Sequence, residues 1–299
     1  MSLAYHTFGL DIDAGFSCPD LAPVAGPAFG RPVRVAWGEV PEAIADPVCS
    51  RPLSWIDRTG ALLHRVPGIA RFMVQRGMVD VALEPDADPG RMPGFLTDLP
   101  LLMQACLWGL VPLNAASLAC GDGAFLLAGP PGVGRTCLAV ALADQGCRVM
   151  ADSACVVDAA EPSGVMVLPA GPGLSLWPES VSLPGLGTPD ATGPGGRIRL
   201  SCADRYEARP QPVRAVVWLR PAVGGAGPQW QQGRHAFGTV MQISRSAELT
   251  RTLLGERARL AAMSALAALP VVTVPSGRSL GDPSAQAMAL LRLLDPYFR

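Results

Sequence analysis

The segment AFLLAGPPGVGRTCLAVALADQGCRVMAD, Ala124 to Asp152, constrains the fold more tightly than any other part of the chain. A short apolar run reads as a buried strand, and GPPGVGRT (Gly129 to Thr136) follows it directly. The next residues carry a helical apolar pattern closed by Gly146, and CRVMA reads as a second buried strand that delivers Asp152 at its end. Strand, glycine loop, helix and strand in this order form the setting of a phosphate-binding loop, so an α/β domain is expected here.

Around this unit the pattern changes twice. Residues 1–98 alternate apolar runs with turn residues, as in YHTFGLDID, VRVAWGEV, GALLHRV, ARFMVQRG and MVDVALEP, which predicts strands and hairpins in a small strand-rich α+β domain. Residues 99–299 are expected to form the second domain. A helix is predicted over Gly94 to Leu110, with Pro100 in its early part, and helical segments over Ala247 to Leu269, broken near Gly255, and Pro283 to Leu294. GVMVLPAG, GLSLWPES, GRIRLSC, VRAVVWLRP and VVTV read as strands, and Leu183 to Gly196 as a long loop.

Composition excludes several classes of function. The formal net charge is -1 and there is no basic stripe with interleaved aromatics, so nucleic acid is not an expected partner. LPLLMQACLWGLVPL is interrupted by Gln104, Gly109 and Pro112 and falls short of the roughly 20 apolar residues of a membrane span. The first residues lack the basic and apolar regions of a secretory signal, so no membrane partner and a cytoplasmic location are expected. The 8 cysteines contain no CxxC pair and sit among apolar neighbours, which reads as buried thiols. His6, His64 and His235 have no partner at a recognisable spacing and read as ordinary surface or core residues.

In the loop, Gly129 and Gly134 have the G-x-x-x-x-G spacing, with Pro130, Pro131, Gly132 and Val133 between them. Glycines let such a loop curl its N–H groups onto phosphate oxygens, and the following helix adds its dipole. Thr136 stands where a hydroxyl would meet Mg2+, and Asp152 where a carboxylate would complete the metal shell or take a proton from an acceptor hydroxyl. Arg135 occupies the place of the usual lysine. The chain contains no lysine, so this arginine follows a chain-wide preference, although a planar guanidinium differs from an ammonium in fit.

LLMQACLWGLVPLNAASL, the segment from Gly123 to Asp158, GLSLWPES and the N-terminal AYHTFGLDIDAGFSCPDLAP together resemble the HPr serine kinase family, specifically the HPr-kinase-related proteins of bacterial peptide-maturation systems. The resemblance covers most of the chain and is strongest from Leu101 to Ser180. It implies a P-loop kinase domain of the HPr kinase and phosphoenolpyruvate carboxykinase type, with ATP and Mg2+ as cofactors and γ-phosphate transfer to a serine-type hydroxyl of a peptide or protein. It also implies self-association into a homo-oligomer. Where the family pattern has a histidine, a lysine and paired aspartates, this chain has Asn114, Arg135 and the pair Asp152–Ser153. Asn114 would position the acceptor, and Arg197, together with Arg199 after the long loop, would meet phosphates. The three departures leave a second reading open: a catalytically impaired pseudokinase that binds peptide in response to nucleotide.

Overall fold

The computed structural model describes residues 3–19, 21–23, 30–176, 178, 189–192, 196, 198–222, 227–277 and 282–298. They fall into two compact units, one of Met1–Pro112 with Ser246–Arg259, the other of Leu113–Arg245 with Leu260–Arg299.

The first unit contains β1 (Leu3–Thr7), β2 (Leu10–Ala14), β3 (Ala22–Pro23), β4 (Arg31–Trp37), β5 (Cys49–Arg51), β6 (Ser54–Ile56), β7 (Leu62–Val66), β8 (Ala70–Gln75) and β9 (Met78–Leu83). They form one sheet in the order β3-β1-β2-β4-β9-β8-β7-β6-β5. Ala70, Phe72 and Val74 of β8 are buried while the residues between them are not, the period-2 pattern of a strand with one face on a core. The helix expected over Gly94 to Leu110 is two helices, α1 (Met92–Leu96) and α2 (Leu99–Leu107). Pro100 has no N–H to give the Leu96 carbonyl and its ring crowds that position, so the helix restarts after Asp98. α2 packs on β8, and the buried Gln104 explains the polar break in its apolar run. Its amide donates to the carbonyls of Gln75 and Met78 and accepts from the Gly77 N–H at 3.1 Å, satisfying the β8–β9 turn. The unit boundary falls after Pro112, so α2, expected at the start of the second domain, lies with the N-terminal strands.

The second part of the chain holds β10 (Val111–Leu113), β11 (Ala115–Cys120), β12 (Gly123–Ala128), α3 (Arg135–Asp144), β13 (Arg148–Ala151), β14 (Cys155–Asp158), β15 (Met166–Leu168) and β16 (Gly173–Leu176). These are followed by β17 (Pro189–Thr192), β18 (Ile198–Ser201), β19 (Gln211–Pro221), β20 (Gln229–Gln231), α4 (Gly233–Gln242), α5 (Ala247–Leu254), α6 (Glu256–Ala267), β21 (Val271–Ser276) and α7 (Pro283–Leu294). α5 belongs to the first unit, where it packs on α2. The stretch expected as an unbroken loop, Leu183 to Gly196, contains β17, which pairs with β18.

In the main sheet of the second unit, β14-β15-β19-β12-β11-β13 are neighbours in that order. β19 runs parallel to both β12 and β21, so the strand entering the glycine loop lies beside the centre of the sheet. β12 is buried at every position, and Phe125 and Leu127 pack in one cluster with Leu138 and Leu142 of α3 and Leu290 of α7. α3 ends as a Schellman motif: Gly146 has φ 98° and donates to the Ala143 carbonyl, and Cys147 donates to Leu142. The turn into β13, and so the position of Asp152, is set there.

Candidate functional site

The loop between β12 and α3 is held by glycine backbones. Gly129, Gly132 and Gly134 have φ 151°, 80° and 93°, all in the region that L side chains avoid. At Gly129 space is the second constraint, because a Cβ there would stand 2.6 Å from the Leu219 carbonyl oxygen of β19. At Gly132 nothing lies within 4 Å of the same construction, so that glycine answers to conformation alone. Val133 is buried, donates its N–H to the Pro130 carbonyl at 3.3 Å, and accepts the Ser276 hydroxyl on its own carbonyl at 3.1 Å. Pro130 and Pro131 have no amide hydrogen, so neither donates to an anion; Gly132, Gly134 and the first turn of α3 carry N–H groups that can.

Asp152 leaves the end of β13 directly beside that first turn. Its carboxylate accepts the Thr136 hydroxyl at 3.1 Å on one oxygen and the Ser175 N–H at 2.9 Å on the other. Burial raises its pKa above the ordinary carboxylate value, opposed by the Ser175 and Thr136 hydrogen bonds, the charge of Arg135 and the Ser153 hydroxyl. Ser153 itself is left-handed, with φ 63°, a conformation seldom adopted away from glycine, asparagine and aspartate. Thr136 and Asp152 thus bring a hydroxyl and a carboxylate together at the mouth of the loop.

Arg135, the first residue of α3, reaches across to Asn114, between β10 and β11. Its guanidinium donates to the Asn114 backbone carbonyl at 3.1 Å. The Asn114 side-chain oxygen accepts Arg245 at 2.9 Å, and the Asn114 N–H donates to the Ile243 carbonyl. The only asparagine of the chain therefore joins two guanidinium groups.

The structure brings Asn114, Arg135, Thr136 and Asp152 together around the Gly129–Gly134 loop. Arg197 lies outside the described residues. Arg199 pairs with Ser175 across β16 and β18, and its guanidinium lies over Gly173, where a Cβ would stand 2.7 Å from Nε. Of the histidines, His6 bonds Asp11 at 2.8 Å, His64 bonds Ser54 at 2.8 Å, and His235 is exposed on α4.

Three contributors carry no motif. Ser175 acts through its backbone on β16, Arg245 lies in the turn between α4 and α5, and Ser276 stands at the end of β21; each is brought in by tertiary packing, which no local pattern encodes. Ser276→Ala leaves the buried Val133 carbonyl without its donor. The expected cost is about 1–2 kcal/mol in urea unfolding.

Among the described residues, no helix is long and apolar enough to cross a membrane, and no group of three or more His, Cys, Asp or Glu side chains is placed to hold a metal ion. No protein-family model matches the chain, and no curated protein matches it. Among solved structures, the HPr(Ser) kinase/phosphatase from Coxiella burnetii is similar over 62% of this chain and 91% of its own, at 12% identity and a TM-score of 0.38. This is a distant likeness that assigns no chemistry to these residues.

Proposed function

We propose that the protein binds ATP with Mg2+ and transfers the γ-phosphate to a serine-type hydroxyl of a peptide or protein. The observation that carries this reading is the Thr136–Asp152 contact at the N-terminus of α3, immediately after a loop whose first glycine has no room for a side chain. The residues fit the group: Thr136 and Asp152 would offer oxygens to Mg2+, with phosphate and water completing its octahedral shell. Bound there, Mg2+ supplies neutralisation of charge on the terminal phosphates.

The chain's own groups divide the remaining tasks. The loop amides and the α3 N-terminus would bind phosphate oxygens, and Arg135 would add charge from the side of Asn114. The Ser175 N–H holds the Asp152 carboxylate in one orientation, aimed so that its other oxygen serves the metal or the acceptor hydroxyl. Arg245 fixes the Asn114 amide, which would position the acceptor. Arg245→Met should therefore weaken Mg2+–ATP binding or acceptor use about tenfold, the loss of one charge-assisted hydrogen bond, while leaving the unfolding transition little changed.

One observation favours the second reading, a nucleotide-responsive peptide-binding module. Among the described residues Asp152 is the only carboxylate engaged by Thr136, and a single carboxylate committed to metal leaves no separate base. Incubation with γ-labelled ATP, Mg2+ and serine-containing acceptor peptides separates the two. Label transferred to peptide, and lost with Asp152→Ala, supports the kinase; nucleotide and peptide binding without transfer favours the module.

A further inference from the structure

At the other end of β11 and β13, away from Asp152, two cysteines meet. The antiparallel register runs Leu118 to Val149 and Ala119 to Arg148, and one further step sets Cys120 opposite Cys147. The Cys147 N–H is used to close α3 on the Leu142 carbonyl, so the ladder does not continue through it. Directly opposed residues of an antiparallel pair have Cα atoms about 4.5–5.5 Å apart, within the roughly 4.4–6.8 Å that a disulfide spans. The contact between the two thiols is the first cause of the pKa shift of each. Cys147 is buried, whereas Cys120 is half-buried at the rim of the core and open to small reagents.

We propose that Cys120 and Cys147 form a reversible dithiol–disulfide site that reacts with low-molecular-weight disulfides of the glutathione type. The Cys120 thiolate attacks one sulfur of the oxidant, forming a mixed disulfide and expelling one thiolate. Cys147, giving its proton to that thiolate, then attacks the Cys120 sulfur, closing the intramolecular disulfide and expelling the second thiolate, which is protonated by solvent. The cysteine pair loses two electrons and the oxidant gains them as two thiols.

The environment assigns the order. The hydrogen bond from Cys147 brings the Cys120 thiol down to about 7, while the same contact, then burial, pushes Cys147 up. Cys18, Cys106 and Cys155 are buried and pushed up to about 12, which keeps them out of the exchange. The site bears on the loop by position, because Cys147 both closes α3 and leads into β13, which delivers Asp152. It does not depend on nucleotide being the ligand.

The test is to treat the reduced full chain with oxidised glutathione, block remaining thiols by alkylation, and map the peptides by mass. The expected product is one crosslink between the peptides of Cys120 and Cys147, reversed by dithiothreitol. Cys147→Ser should trap a single glutathione on Cys120, and Cys120→Ser should leave Cys147 unmodified. Absence of the crosslink from the native chain, with stable glutathione adducts on Cys137 or Cys202 instead, would overturn the proposal. So would a Cys147→Ser chain unmodified at Cys120.

Discussion

Gly129→Ala is expected to abolish the proposed nucleotide binding and to destabilise the second unit by about 3 kcal/mol, read as a lower midpoint of urea unfolding. Two costs combine. The backbone at φ 151° excludes a side chain, and the added methyl would stand 2.6 Å from a carbonyl oxygen of β19, near the middle of the sheet. That oxygen belongs to backbone held by neighbouring strands, so neither partner can turn aside. Gly132→Ala is the control: it meets the left-handed penalty of about 1–2 kcal/mol with nothing within 4 Å to strike. Equal effects at the two positions would mean that the close approach to Leu219 carries no weight.

Asp152→Asn has the opposite sign on stability and the same expected loss of binding. Burial raises the folded-state pKa of this carboxyl above its unfolded value of 3.8. The folded chain then holds the proton more tightly, so the contribution to stability is present at low pH and is lost as pH rises from 3.8 through the raised value. Above the raised value the ionised carboxylate is a burden on the ligand-free fold, and the uncharged amide removes it. The variant should unfold at the same or a higher temperature than the native protein at pH 7, with the difference gone in acid. Its stabilisation by Mg2+–ATP, about 2.7 kcal/mol for the native protein at a hundredfold excess over Kd, should vanish. A variant less stable at pH 7 and still stabilised by Mg2+–ATP would remove Asp152 from the site.

Much of the second unit was legible because its signals are local. The strand before Gly129, the helix ended by Gly146 and the helix Pro283–Leu294 each announce themselves through period, glycine or proline. α4 was not legible: Gly233 and Gly238 weaken its helical pattern, and it is stabilised by burying Ala236, Thr239 and Val240. β14, buried at every position, has no alternation to mark it as a strand. The site divides in the same way. Thr136 and Asp152 follow from spacing on either side of one helix, whereas the reach of Arg135 to the Asn114 carbonyl and the Ser175 N–H on Asp152 arise only once strands distant in sequence are neighbours.

The central claim is that the Gly129–Thr136 loop holds a nucleotide with arginine in the lysine's place. Titration calorimetry of ATP with Mg2+ into the native protein and into Arg135→Ala tests it most directly. The account predicts one site per chain in the native protein, with binding lost or weakened at least tenfold in Arg135→Ala, as expected when a charged phosphate partner is removed. No heat of binding from the native protein with ATP, and no shift in its unfolding temperature at millimolar nucleotide, would contradict the account.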